Sequence, residues 1–364
     1  MFFFHSHVDP EAVRRSSEVL ASGFVSEGKV VAEFESALRD QLKVSPAVAV
    51  NSGTAALHLA LRVAGIGPGD NVLVPTQTFV ASALAILMSG ATPRFVDIGR
   101  DGLISVDSIR ESINSQTRGI MPVHWSGQPC DMDPINQIAA EHDLCVIEDA
   151  AHALGATYRG RPVGTLSRMT MFSFQAIKHL TTGDGGAICC NDPDDFRRAM
   201  QLRWFGIDRA NAKQTLLGER DFDLTEVGYK YHMNNVAAAI GIGNLHGLDQ
   251  RIQRHREIAD RLQNEIAFDD EIESLPFQDD TQSAWWFYPV LVRRRDDFAT
   301  AMKDRDIPVS VVHQRIDRYS VFQDFRRDLP MQDWFNRRQI NLPVHVGMRD
   351  EDVDAIVAAI KMGW

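Results

Sequence analysis

The sequence predicts a layered α/β fold built on a largely parallel sheet. Short apolar runs alternate with amphipathic helical stretches along most of the chain. The 364 residues are 44% hydrophobic and 24% charged, the balance of a soluble chain able to bury a sizeable core. No internal repeat or low-complexity linker interrupts the pattern.

Asn51-Ser52-Gly53-Thr54 reads as a turn, followed by a helix over Ala55 to Val63. Asn71 to Pro75 (NVLVP) is a short strand, Phe79 to Met88 a helix, and Pro93 to Asp97 a strand. Gly119 to Val123 is a further strand, Pro134 to His142 a helix, and Leu144 to Glu148 a buried strand. Met169 to Phe174 and Gly186 to Cys190 flank a glycine-rich turn. After His246 the texture changes: a long charged helix over Leu248 to Ile266 leads to the strand-like Ala284 to Arg293, and two more helical stretches follow. A large domain over residues 1–245 and a smaller one over 246–364 are expected.

Charge and cysteine content exclude several function classes. The 38 basic and 49 acidic residues give a net charge of −11, the wrong sign for general nucleic-acid binding. The 4 cysteines show no paired C-x-x-C spacing, so neither a disulfide framework nor a zinc or iron–sulfur site is expected. No apolar run approaches the ~18 residues of a membrane span. The start, Met1-Phe2-Phe3-Phe4-His5, lacks the basic region and long apolar core of a leader, so a cytoplasmic protein is expected.

The stretch from Asn51 to Lys178 carries the chemistry. A helix N-terminus attracts phosphate and Gly53 permits close approach, although Asn, Ser and Thr are also routine caps. Asp149 closes a strand, where ligands of open α/β sheets bind. A carboxylate there either keeps a bound heterocycle protonated or caps the next segment. Lys178 lies in a mostly uncharged stretch; desolvation lowers a lysine pKa and frees a nucleophilic amine. A snorkelling surface lysine is the plainer alternative. Ser173 offers a hydroxyl to a phosphate. The order phosphate turn, aromatic, Asp, Ser, Lys suits pyridoxal 5′-phosphate, which needs each of these groups.

The chain resembles the DegT/StrS family of nucleotide-sugar aminotransferases. The resemblance rests on Asn51-Ser52-Gly53-Thr54-Ala55-Ala56-Leu57, Pro75-Thr76-Gln77-Thr78-Phe79-Val80-Ala81-Ser82, and Pro122-Val123-His124-Trp125-Ser126-Gly127. It continues through Glu148-Asp149-Ala150-Ala151-His152, Ser173-Phe174-Gln175-Ala176-Ile177-Lys178, Gly228-Tyr229-Lys230-Tyr231-His232-Met233-Asn234 and Leu342-Pro343-Val344-His345. It implies an aspartate-aminotransferase-like fold of type I, with a mostly parallel mixed sheet between helices and a smaller C-terminal α+β domain. Lys178 would hold pyridoxal phosphate as a Schiff base and shuttle the proton. Asp149 would pair with the pyridine nitrogen. Gly53, Thr54 and Ser173 would hold the phosphate, Phe79 would lie against the ring, and His152 would sit near it. His124, Arg203 and His313 are candidate substrate contacts.

The resemblance further implies a homodimer with shared sites, in which Lys230 reaches the partner's cofactor. Here the chain departs from the family pattern, with Lys230 where asparagine is usual and His232 where arginine is usual. The implied reaction moves an amino group, from glutamate by family habit, to a nucleotide-linked keto sugar, for a surface polysaccharide or a secondary metabolite. A sugar dehydratase of the same fold would carry histidine in place of Lys178. A cyclitol aminotransferase is a further alternative. A non-catalytic regulator would have lost Lys178, Asp149 or Ser173, and a nicotinamide oxidoreductase would carry G-x-G-x-x-G, which is absent.

Overall fold

The computed structural model describes all 364 residues. Its main sheet has seven strands: β1 (Ala47–Val50), β2 (Asn71–Pro75), β3 (Thr92–Val96), β4 (Thr117–Ile120), β5 (Cys145–Asp149), β6 (Met169–Ser173) and β7 (Gly186–Cys190). They lie side by side in the order β1-β7-β6-β5-β4-β2-β3. All are parallel except β7, which runs antiparallel to both neighbours.

Helices cover both faces, as buried parallel strands require. On one face lie α3 (Gly53–Val63), α4 (Ala81–Met88) and α7 (Pro193–Leu202); on the other lie α2 (Lys29–Leu42), α5 (Val106–Ser112), α6 (Met132–Glu141) and α8 (Asn235–Leu245). The alternation of a strand sorts side chains between the layers. Ala47 and Ala49 enter the core beside α2, whereas Val48 and Val50 enter the core beside α3. A helix α1 (Pro10–Ser22) packs on α8. No helix is long and apolar enough to cross a membrane.

A second sheet joins β8 (Ile272–Ser274), β9 (Tyr288–Val292) and β10 (Gln339–Leu342), all antiparallel. Its core gathers residues from Ile258 to Ile360, including parts of α9 (Leu248–Glu265), α10 (Arg295–Asp304) and α12 (Asp350–Lys361). The segment between Ile316 and Leu329, which leads into α11 (Pro330–Asn336), packs instead against the main sheet, beside Phe95 and α3.

The strand expected over Ala284 to Arg293 forms only from Tyr288. Trp285 adopts a left-handed φ of 48°, which a ladder does not tolerate. Ala284 N and Trp286 N donate instead to Gly127 O and Ser126 O, at 3.0 and 2.8 Å. The strand expected over Gly119 to Val123 likewise stops at Ile120.

Candidate active site

The carboxyl ends of β1, β2, β5 and β6 share one edge of the main sheet with the start of β7. A cavity of about 340 Å³ opens there, lined by Gly53, Thr54, Phe79, Asp149, His152, Ser173, Lys178, Trp286 and His313. A larger cleft of about 540 Å³, between Glu27 and Arg209, contains none of these residues.

One wall is the N-terminus of α3. Ser52 caps it, its Oγ accepting from Ala55 N at 3.0 Å. The first N–H groups of a helix have no partner inside it, and here they belong to Gly53 and Thr54 on the cavity wall. A Cβ added at Gly53 would stand 3.1 Å from Ser173 Cβ and 3.2 Å from its Oγ, so glycine is what lets helix and strand end meet. A Cβ at Gly186 would lie 2.8 Å from Gly53 N and Ser52 O, so the glycine-rich run lets β7 pass beneath this turn.

Asp149 ends β5 and is buried. Its Oδ2 accepts from Ser82 Oγ at 2.7 Å and its Oδ1 from Ala151 N at 3.2 Å. Thr78 and Ser82 share a further hydroxyl contact at 2.7 Å. Burial pushes the carboxyl above its usual range, opposed by Ser82, Ala151 N and the charge of Lys178. No cation of the chain pairs with it.

Lys178 follows β6 on a turn closed by its own N–H to Gln175 O at 2.9 Å. Its amine makes no hydrogen bond or ion pair within the chain. Burial brings it down to about 7, partly opposed by Asp149. His152 and His313 line the cavity nearby, their rings 5.5 Å apart. Burial, then the charge of Lys178, holds His152 well below the usual histidine range and brings His313 to about 3. Phe79 stands at the mouth, 55% exposed, its ring 5.3 Å from His313.

Residues 7–361 match the DegT/DnrJ/EryC1/StrS aminotransferase family. The chain belongs to that family. It is 36% identical to GDP-perosamine synthase of Caulobacter vibrioides, over 92% of this chain and 90% of the relative. The sugar aminotransferase CalS13 of Micromonospora echinospora superposes with a TM-score of 0.95 at 36% identity, over 100% of both chains. The putative sugar aminotransferase Spr1654 of Streptococcus pneumoniae, in its PLP form, superposes at 0.91 with 28% identity, over 100% of this chain and 98% of that one. The chain is thus a sugar aminotransferase with the expected α/β fold.

Two candidate substrate contacts of the aminotransferase lie elsewhere. His124 is fully buried; its Nε2 meets Glu148 Oε2 at 2.8 Å and its Nδ1 accepts from Cys130 N at 3.0 Å. With both ring nitrogens used inside, it ties β5 to the segment after β4. Arg203, 2% exposed, donates to Glu35, to Glu27 Oε1 at 2.7 Å and to Ala49 O at 2.8 Å. It is a buried ionic tie from the end of α7 to Glu27, to Glu35 within α2 and to β1, and it does not line the cavity. Lys230 is exposed and outside its own chain's cavity. His232 packs edge-on to Trp204, ring centroids 3.8 Å apart. His179, next to Lys178, turns away, its Nε2 against Ala284 O at 2.9 Å.

The sequence reading missed Ser82 and Trp286. Ser82 sits among the family-like residues 75–82 with no chemistry of its own in sequence; its spacing of four from Thr78 is the available signal. Trp286 read as one more apolar residue of a strand, and nothing local marks it.

Proposed function

We propose that this sugar aminotransferase moves an amino group from an amino-acid donor, glutamate in the first instance, to a keto sugar carried on a nucleotide. The product would enter a surface polysaccharide or a secondary metabolite. The observation that carries the reading is the Lys178 amine: buried, without a hydrogen-bond partner, and brought down to about 7 inside a cavity that also holds Asp149 and the start of α3.

The cavity fits pyridoxal phosphate. Gly53 leaves the cradle a Cβ would fill against Ser173, where a phosphate meets the helix N-terminus. The buried Asp149 has hydroxyl and amide donors but no cation, which a protonated ring nitrogen provides. When bound, the cofactor supplies an electron sink beside an electrophilic carbon. Lys178, able to gain or lose its proton near pH 7, would take a proton from the donor's Cα and hand it on to the cofactor side, a role typically worth about 10²–10⁴-fold. Gly53, Thr54 and Ser173 would hold the phosphate, and Asp149 would pair with the ring nitrogen. His152 and Phe79, on the cavity wall, would flank the ring, and His313 beside Phe79 would meet the sugar.

We also infer a homodimer in which Lys230 of one chain completes the other chain's site. Its exposure outside its own cavity supports this, as do exposed apolar side chains at the end of α1, just after it and near residue 216, among them Leu20, Phe24, Leu216 and Leu217.

The test is the visible absorption spectrum of the purified protein with pyridoxal phosphate, beside Lys178→Ala. A band that needs Lys178, bleaches with glutamate and returns with a keto-sugar nucleotide is expected. Absence of any such band would overturn the reading.

A further inference from the structure

We propose that Trp286 is a positioning residue for Lys178, its indole face holding the amine as a cation and its N–H holding the backbone just ahead of the lysine. The Lys178 Nζ stands 3.3 Å from the centroid of the Trp286 ring. Trp286 Nε1 donates to Ile177 O at 2.9 Å. One side chain thus grips both the tip of the lysine and the turn that carries it.

The indole is itself held rigidly. It is 2% exposed. His152 stacks on it at 3.9 Å and 24°, and Phe4 from the N-terminal segment stacks on it at 4.7 Å and 23°. Its backbone is fixed by the left-handed turn at Trp285 and by the hydrogen bond to Ser126 O. A ring so clamped offers a constant π-face, and such a face attracts a cation most strongly where water is excluded.

The chemistry calls for such a device, and this part rests on the aminotransferase reading. A lysine that carries a proton between two positions needs a resting place inside the site. Burial alone would discharge the ammonium or drive it towards water. The ring opposes burial, so the proton stays on the amine and within reach. The titratable groups around the amine are Asp149, His152 and His313 on the cavity wall and His179 turned away behind it, and the test replaces none of them.

The test reads Lys178 in the protein without added cofactor, so it does not depend on turnover. Competitive acylation across pH, followed at the Lys178 peptide by mass spectrometry with exposed Lys361 as reference, gives the amine's titration midpoint. Trp286→Leu removes face and N–H; the midpoint is expected to fall by about one unit, a tenfold change in proton affinity. Trp286→Phe keeps a face and loses the N–H; its midpoint should lie between, while kcat falls more than KM rises. Global replacement of tryptophan by mono-, di- and trifluorinated analogues keeps the shape and weakens the face in steps. It reports even if the leucine variant does not fold, and the midpoint should fall with each fluorine. A flat fluorination series, or an unchanged midpoint in a folded leucine variant, would overturn the proposal. Loss of the absorption band with an intact titration series would instead overturn the aminotransferase reading alone.

Discussion

Ser82 Oγ donates to Asp149 Oδ2 at 2.7 Å, joining the first turn of α4 to the end of β5 inside the core. The bond holds the carboxylate in one orientation and offsets part of its desolvation. The acid is therefore aimed by a residue far away in sequence, and its remaining capacity points to the cavity.

Asp149→Asn keeps an acceptor for Ser82 but removes the charge. Loss of a charge-assisted bond of about 1.5–3 kcal/mol lowers kcat/KM on the order of 10- to 100-fold. Stopped-flow measurement of the donor half-reaction checks this, with thermal unfolding alongside. Full activity with a lower Tm would make Asp149 merely structural.

Gly53→Ala places a methyl group against Ser173. Cofactor retention should weaken about tenfold, measured by equilibrium dialysis. Ser173→Gly in the same chain removes the atom the methyl meets, so the double variant should bind more tightly than additivity predicts.

Lys178 carries a pH signature. In the unfolded chain its amine holds a proton up to about 10.5; buried, it releases it at about 7. Between those values the unfolded state binds more protons, so this group makes stability rise with pH from about 7 to 10.5. Urea midpoints of the cofactor-free protein across that window should rise relative to Lys178→Met. Parallel curves for the two proteins would refute the burial argument.

Arg203→Met leaves Glu27 and Glu35 without their shared cation. Breaking a buried pair in this way costs about 3–5 kcal/mol. Urea unfolding should register that loss, whereas KM for either substrate stays within about twofold, because Arg203 lies outside the cavity and its partners are other residues of the core. A large KM change at unaltered stability would restore Arg203 as a substrate contact.

Subunit mixing addresses Lys230. Lys178→Ala and Lys230→Ala are each expected to be weak alone. Unfolded together and refolded, they should regain about one quarter of wild-type activity, because half of the random dimers are hybrids with one intact site. No recovery would place Lys230 outside the neighbouring site.

The parts legible in the sequence are those whose chemistry is local. The cap at Ser52, the glycine at 53, the acid at the end of a strand and the lysine on a turn after another depend on residues within a few positions. Alternation and helical period place the strands and helices that carry them. The chain order of Gly53, Asp149, Ser173 and Lys178 therefore points to the cofactor, while the reaction is implied by the resemblance of the longer stretches to the family.

What only the tertiary structure decided is which side chains face the cavity and which are spent inside the core. His124 meets Glu148, 24 residues on, Arg203 meets Glu27, 176 residues back, and Trp286 reaches Ile177 across 109. Such partners are set by strand order and by the packing of one sheet against another. A polar group's role turns on whether burial leaves it a partner within the protein, and that partner is chosen by long-range pairing.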